Sequence, residues 1–231
     1  YPVVYKVGGY RDFGGIRQLY DMGRARNLNA FQQAWDKQQL PLFHLIYADK
    51  SNNIFYNYNA KVGDKSDLKE DRSSLSRLTQ TRWESPLTTT SNNVLWGNLL
   101  SITDELPWVL NPNSGFIQAS GTPPWLVTEG LDWTEDDFDD WLIRDPDSYR
   151  AKRLRQVFDT GLRSFSDNQA ILYDIVVPIA VETVPQLLKA VQTNRSYVNE
   201  VHPNLIPIIK MLESWDYKAH PDSPAMTFFH I

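Results

Sequence analysis

The sequence has 231 residues, 42% of them hydrophobic and 13% aromatic, with eight tryptophans, which is enough apolar mass to bury the core of one large domain or two small ones. Its formal net charge is -5 with both signs interspersed, so it has no basic stripe to neutralise phosphates and does not read as a nucleic-acid binder. Cysteine is absent, which excludes disulfides, thiolate zinc sites and a cysteine nucleophile, and no apolar run reaches the roughly 18 residues needed to span a membrane.

Val3 to Val7 is a short β-branched and aromatic run ending at Gly8-Gly9, which predicts a strand and a turn. The opening residues are neither a signal peptide nor an initiator start, and the expectation is a chain that begins inside a larger protein. Helices are expected from about Ile16 to Ala25 and from about Asn29 to Gln38, the second with Ala30, Phe31, Ala34 and Trp35 at helical spacing and Asn29 as N-cap. Leu42 to Ala48 and Ile54 to Tyr58 are β-rich runs joined by Asp49-Lys50-Ser51-Asn52-Asn53, a predicted hairpin. Residues 62–93 are polar with no sustained period and read as a long surface excursion. Residues 107–124 are dense in Pro, Gly, Asn and Ser and predict an irregular loop pinned by Trp108, Phe116 and Trp125.

The last hundred residues change character. Ser148 to Gly161 carries Leu154, Val157 and Phe158 at helical spacing. Ser166-Asp167 is expected to open a helix containing Ile171, Leu172, Ile175 and Val176, with Pro178 as a bend or break. Two further helices are expected at Pro185 to Gln192 and Leu205 to Trp215. A strand-bearing part (1–130) followed by a mainly helical part (131–231) gives an α+β organisation without internal repeats.

Several chemistry-bearing patterns reduce to structural ones. His44, His202, His220 and His230 lie far apart without ligand spacing, so each is assigned a structural or surface role. The acidic run from Glu135 to Asp140 lacks the glycine and spacing of a calcium loop and reads as a solvated helix start. Gly8-Gly9 and Gly14-Gly15 have no strand-Gly-helix context with a following lysine, so they are not phosphate loops. No Gly-x-Ser-x-Gly elbow occurs.

Three stretches, in order, carry a resemblance. The first is Leu42-Phe43-His44-Leu45-Ile46-Tyr47-Ala48-Asp49 followed by Asn53-Ile54-Phe55-Tyr56. The second runs from Leu106-Pro107 to Asn111-Pro112-Asn113-Ser114-Gly115-Phe116-Ile117-Gln118 and Pro123-Pro124-Trp125. The third is Ser148-Tyr149-Arg150 with Arg153-Leu154 and Val157-Phe158. Together they resemble the β chain of the penicillin acylase family of N-terminal nucleophile hydrolases: its Tyr-Ala-Asp hairpin, its Asn-Pro-x-x-Gly loop and its arginine-bearing helix. The likeness extends through Leu19 to Phe31 upstream and to Trp215-Asp216 downstream.

The resemblance implies part of an αββα sandwich followed by a mainly helical segment. It also implies an amidohydrolase whose first β-chain residue, freed by self-cleavage, attacks an amide carbonyl with its own α-amine as base. The helix arginine maps to Arg150, and Leu19 and Phe43 map to positions lining the acyl pocket, with plain core packing the alternative for both. The substrate would be a small-molecule linear amide: a β-lactam side chain, an N-acyl homoserine lactone or a lipopeptide acyl group. Partners would be the parent enzyme's remaining segments, an α chain and the nucleophile-bearing part of the β chain. The location would be periplasmic or secreted, and no metal or other cofactor is expected.

Two departures qualify the implication. The nucleophile is expected further upstream of Tyr47 than the 46 residues present, and residue 1 is tyrosine, so this chain is expected to be inactive alone. The oxyanion asparagine aligns with Gly121, which has no side-chain donor, a loss typically worth about 3 kcal/mol of transition-state stabilisation. A non-catalytic descendant kept as a binding or scaffold protein is therefore the competing reading, and an unrelated α+β binding module with a tryptophan-lined groove is a third.

Overall fold

A computed structural model describes residues 7–10, 12–64, 97–138, 142, 146–158 and 164–230. The chain divides into two compact units, Tyr1–Asp147 and Ser148–Ile231.

The first unit opens with a turn at Gly8-Gly9, where Tyr10 N donates to Val7 O at 3.3 Å and Gly9 takes φ +77°, a backbone region that favours glycine. The strand expected from Val3 lies mostly outside the described residues, as does most of the polar stretch after Val62. Helix α1 (Gly15–Gly23) and helix α2 (Leu28–Trp35) follow. The N-cap of α2 is Asn27, whose side chain accepts from Ala30 N at 2.9 Å, not the expected Asn29. Asn29 lies within the first turn and instead accepts from Gln33 Nε2 at 2.8 Å. Gln18 ties the two helices together from a fully buried position. It donates to Trp35 O at 2.9 Å and accepts from Gln39 N and Leu40 N at 2.6 and 3.1 Å.

Strands β1 (Leu42–Ala48) and β2 (Ile54–Ala60) form the expected hairpin, antiparallel from Leu42↔Ala60 to Ala48↔Ile54. The expected irregular loop is interrupted by a third strand, β3 (Trp108–Leu110), which pairs antiparallel with β2 in the order β1-β2-β3. Three residues between Pro107 and Asn111-Pro112 are too few to show an alternating pattern in sequence. As the central strand, β2 is buried nearly throughout, whereas every position of β1 is exposed or half-buried.

Phe55, Asn57 and Asn59 share the face of β2 that meets α2. There Trp35 packs edge-on against Phe55 at 5.3 Å and donates its indole N–H to Asn57 Oδ1 at 2.8 Å. Asn57 Nδ2 passes the bonding on to Ile102 O and Pro107 O at 3.3 and 3.4 Å. Phe31, Trp35, Phe55, Tyr56, Tyr58, Leu106 and Val127 belong to one buried cluster, the core of this unit. The acidic run begins as a 3-10 turn, Glu135–Asp137, closed by a reciprocal Thr134–Asp137 capping box.

The second unit is helical among its described residues. Helix α3 (Tyr149–Phe158) starts from Ser148, whose hydroxyl accepts from Ala151 N at 3.1 Å. Helix α4 (Phe165–Ile171) is shorter than expected. The apolar run to Val176 leaves the helix because Asp174 Oδ1 accepts from Val176 N at 3.0 Å, a local turn that competes with helical bonding. Val176 then bridges to Lys218 instead. Pro178 is not a bend inside that helix; it sits in the first turn of α5 (Pro178–Thr193), where its missing N–H costs nothing. This longer helix contains the expected 185–192 segment, with Pro185 in its interior.

Helices α6 (Arg195–Val201) and α8 (Pro224–His230) were not expected, and α7 (Ile206–Glu213) falls within the predicted Leu205–Trp215 span. Trp215 lies just past α7, buried with Ala180, Val184, Leu212 and Ala225 in the core of this unit. The observed mixture of helices and a small antiparallel sheet agrees with the α+β expectation.

Candidate functional site

The first unit joins the first two sequence motifs physically. Asn111 follows β3 with φ +50°, and its backbone N–H donates to Ile54 O at 2.8 Å. Its side chain accepts from Ile54 N at 2.8 Å and donates to Asn53 Oδ1 at 3.1 Å. Asn53 in turn donates from its side chain and backbone to Asp49, which also accepts from Ser51 N and the Tyr47 hydroxyl. A continuous polar chain thus runs from Tyr47 through Asp49 and Asn53 to Asn111. Hydrogen bonds from Asn53, with those of Tyr47 and Ser51, hold the Asp49 carboxyl below its ordinary value against the opposing effect of desolvation. Desolvation, then the contact with Asp49, pushes the Tyr47 phenol above its ordinary value.

Beyond Asn111 the loop turns at Pro112–Gly115, with Gly115 N donating to Pro112 O at 3.0 Å and Gly115 at φ +74°. It is fastened by Thr128, whose hydroxyl bonds Ser114 Oγ and donates to Phe116 O at 2.7 Å, and by Gln118, whose amide donates to Leu126 O at 3.0 Å. The loop therefore arrives at Gly121 on a fixed path. Gly121 is solvent-exposed with φ +74°, and Thr122 beside it is fully buried and donates to Asp147 Oδ1 at 3.3 Å. The left-handed region at residue 121 suits glycine and, among residues with a side chain, asparagine best.

Leu19 on α1 is 54% exposed and Phe43 on β1 is 52% exposed, and neither joins the buried cluster. Ile16 and Tyr20 on α1 are also exposed, as are Leu42 and Ile46, which lie on the opposite face of β1 from Phe43.

Arg150 lies in the first turn of α3, an exposed position set by the Ser148 cap. One turn on, Arg153 is held by Asp174 at 2.7 Å. Burial opposes the charge on Asp174, but the bonds from Arg153 and Val176 N outweigh it and keep its carboxyl below the usual value. Arg150 belongs to the second unit and Leu19, Phe43 and Gly121 to the first.

The histidines take separate places. His44 Nδ1 is 2.9 Å from the Tyr56 hydroxyl, His202 meets the Tyr197 ring edge-on, and His220 lies 3.7 Å from Asp216. Among the described residues, no group of three His, Asp or Glu side chains is arranged to hold a metal ion. Sequence reasoning missed the Asn53–Asn111 bridge; its only trace there is that each motif carries an asparagine beside its turn.

Comparison with known families places this chain, over nearly its whole length, in a family of amide hydrolases. The match is to penicillin amidase and covers residues 5–231, so the chain belongs to the penicillin amidase family.

Proposed function

We propose that this chain is part of an amidohydrolase that cleaves linear amides with an N-terminal nucleophile carried outside these 231 residues. Membership in the penicillin amidase family supports the reaction class. The observation that carries the site assignment is the half-exposure of Leu19 and Phe43, since a residue lining an acyl pocket must offer apolar surface that the core does not consume.

In this reading the nucleophile's hydroxyl adds to the amide carbonyl while the terminal amine takes its proton and passes it to the departing amine. Water then releases the acyl group. By the family likeness, Arg150 is assigned to stabilising the oxyanion. The three strands belong to one sheet of an αββα sandwich whose other strands come from the rest of the parent enzyme. The substrate is a β-lactam side chain, an N-acyl homoserine lactone or a lipopeptide amide, and an exported location follows from the same family likeness.

Gly121 favours a second reading, a non-catalytic relative that only binds such a ligand, because it supplies no side-chain donor to an oxyanion. Hydrolysis of a panel of N-acyl anilides by the product of the full reading frame separates the two. The enzyme reading expects turnover that depends on acyl length, with Phe43→Ala and Leu19→Ala shifting the length preference and Arg150→Ala lowering kcat about a hundredfold. No turnover of any acyl anilide by a folded protein would leave the binding reading in place.

A further inference from the structure

A cavity of about 320 Å³ opens between the C-terminal half of α2 and the chain entering β3, lined by Gln32, Gln33, Trp35, Asp36, Thr103 and Trp108. It lies on the helix-covered face of the sheet and is lined by none of Leu19, Phe43 and Gly121.

The chemistry of this lining favours a cation. Asp36 is exposed and follows the last residue of α2, so its carboxylate adds to the negative end of the helix dipole. No lysine, arginine or histidine lines the cavity, and the neighbouring Lys37 is engaged by Asp21 at 2.5 Å. Both indole N–H groups are already bonded, Trp35 to Asn57 Oδ1 at 2.8 Å and Trp108 to Thr103 O at 2.9 Å. The indole N–H groups are therefore taken, and what remains open to a guest is the ring surface of Trp108, since Trp35 is buried; an exposed aromatic face beside a carboxylate suits a cation. Trp108 remains 42% exposed although its ring packs 6.2 Å from Phe55.

We propose that this cavity binds an organic ammonium group, held by the Trp108 ring and the Asp36 carboxylate. Its apolar substituents rest on the Trp108 indole, and the Gln32 and Gln33 amide oxygens border the charged head.

The test is an NMR titration of the tryptophan indole N–H signals with tetramethylammonium chloride, run beside tert-butanol as a neutral probe of similar size and sodium chloride as an ionic-strength control. The expected result is a saturable shift of the Trp108 signal with tetramethylammonium only, weakened about tenfold by Asp36→Asn. Trp108→Leu identifies that signal and, monitored through the Trp35 signal, should abolish saturation. Shifts that fail to saturate, equal shifts with tert-butanol, or undiminished affinity in folded Asp36→Asn protein would each overturn the proposal.

Discussion

The side chain of Asn111 bonds both Asn53 and the backbone N–H of Ile54, at 3.1 and 2.8 Å, so the loop that leads to Gly121 is anchored to the turn of the β1–β2 hairpin. The two stretches are far apart in sequence, yet they act as one structural unit, and the position of residue 121 is inherited from it.

Replacing Asn111 tests that anchor. Asn111→Ala removes both side-chain bonds and places alanine at φ +50°, so a stability loss of about 2 to 3 kcal/mol is expected. Asn111→Gly removes the same bonds without the backbone strain and should lose about 1 kcal/mol less. Urea unfolding of the three proteins gives the ranking; equal losses would show that the backbone conformation contributes nothing.

Asp49 predicts a pH dependence. Its carboxyl is held below its ordinary value by Asn53, Tyr47 and Ser51, so the folded state favours the ionised form. The stability it confers is present above the unfolded-state pKa of about 3.9 and is lost as pH falls through the lower folded-state value. Unfolding measured between about pH 6 and pH 2 should show a steeper acid limb for the natural protein than for Asp49→Asn. Superimposable slopes would contradict the assignment.

A buried amide–indole bond makes a third test. Trp35→Phe keeps the ring packing against Phe55 but leaves Asn57 Oδ1 without the indole donor, in a position fully shielded from water. The expected cost is about 1 to 3 kcal/mol, and a double replacement with Asn57→Leu should show non-additive losses. Strict additivity would mean that the two side chains do not depend on each other.

How much of this was legible in the sequence varied with length and alternation. The hairpin is readable because two runs of aromatic and branched residues flank a cluster of turn residues from Asp49 to Asn53, whereas β3 has only three residues. The seven-residue helices α6 and α8 span only two turns and left too little periodicity to detect. The α2 cap was misplaced by two residues because Asn27 and Asn29 are equally good capping types; which one caps depends on where the backbone turns extended. Pro178 is visible as a helix boundary in the sequence, but the turn made by Asp174 that ends the preceding helix is not. Leu19 and Phe43 could be named by resemblance, but their exposure could not be read, since pocket linings and cores use the same apolar residues. The cavity joining Asp36 to Trp108 had no signal because only the fold brings them together.

Gly121 carries the fourth prediction. At φ +74° alanine should cost about 1 kcal/mol, while asparagine should cost less because it enters the left-handed region most readily. Gly121→Asn would also place an amide donor at the position aligned with the family's oxyanion asparagine. In a processed parent enzyme this variant should raise anilide hydrolysis by about tenfold or more. An unchanged rate would show that residue 121 does not face the reacting carbonyl.

The most direct test of the central claim is intact-mass and N-terminal sequence analysis of the protein produced from the full reading frame. The account predicts a processed chain that begins with Ser, Thr or Cys upstream of Tyr1 and contains the segment described above. An unprocessed precursor, or a processed chain with none of these residues at its new terminus, would contradict the amidohydrolase reading and remove the catalytic role proposed for Arg150.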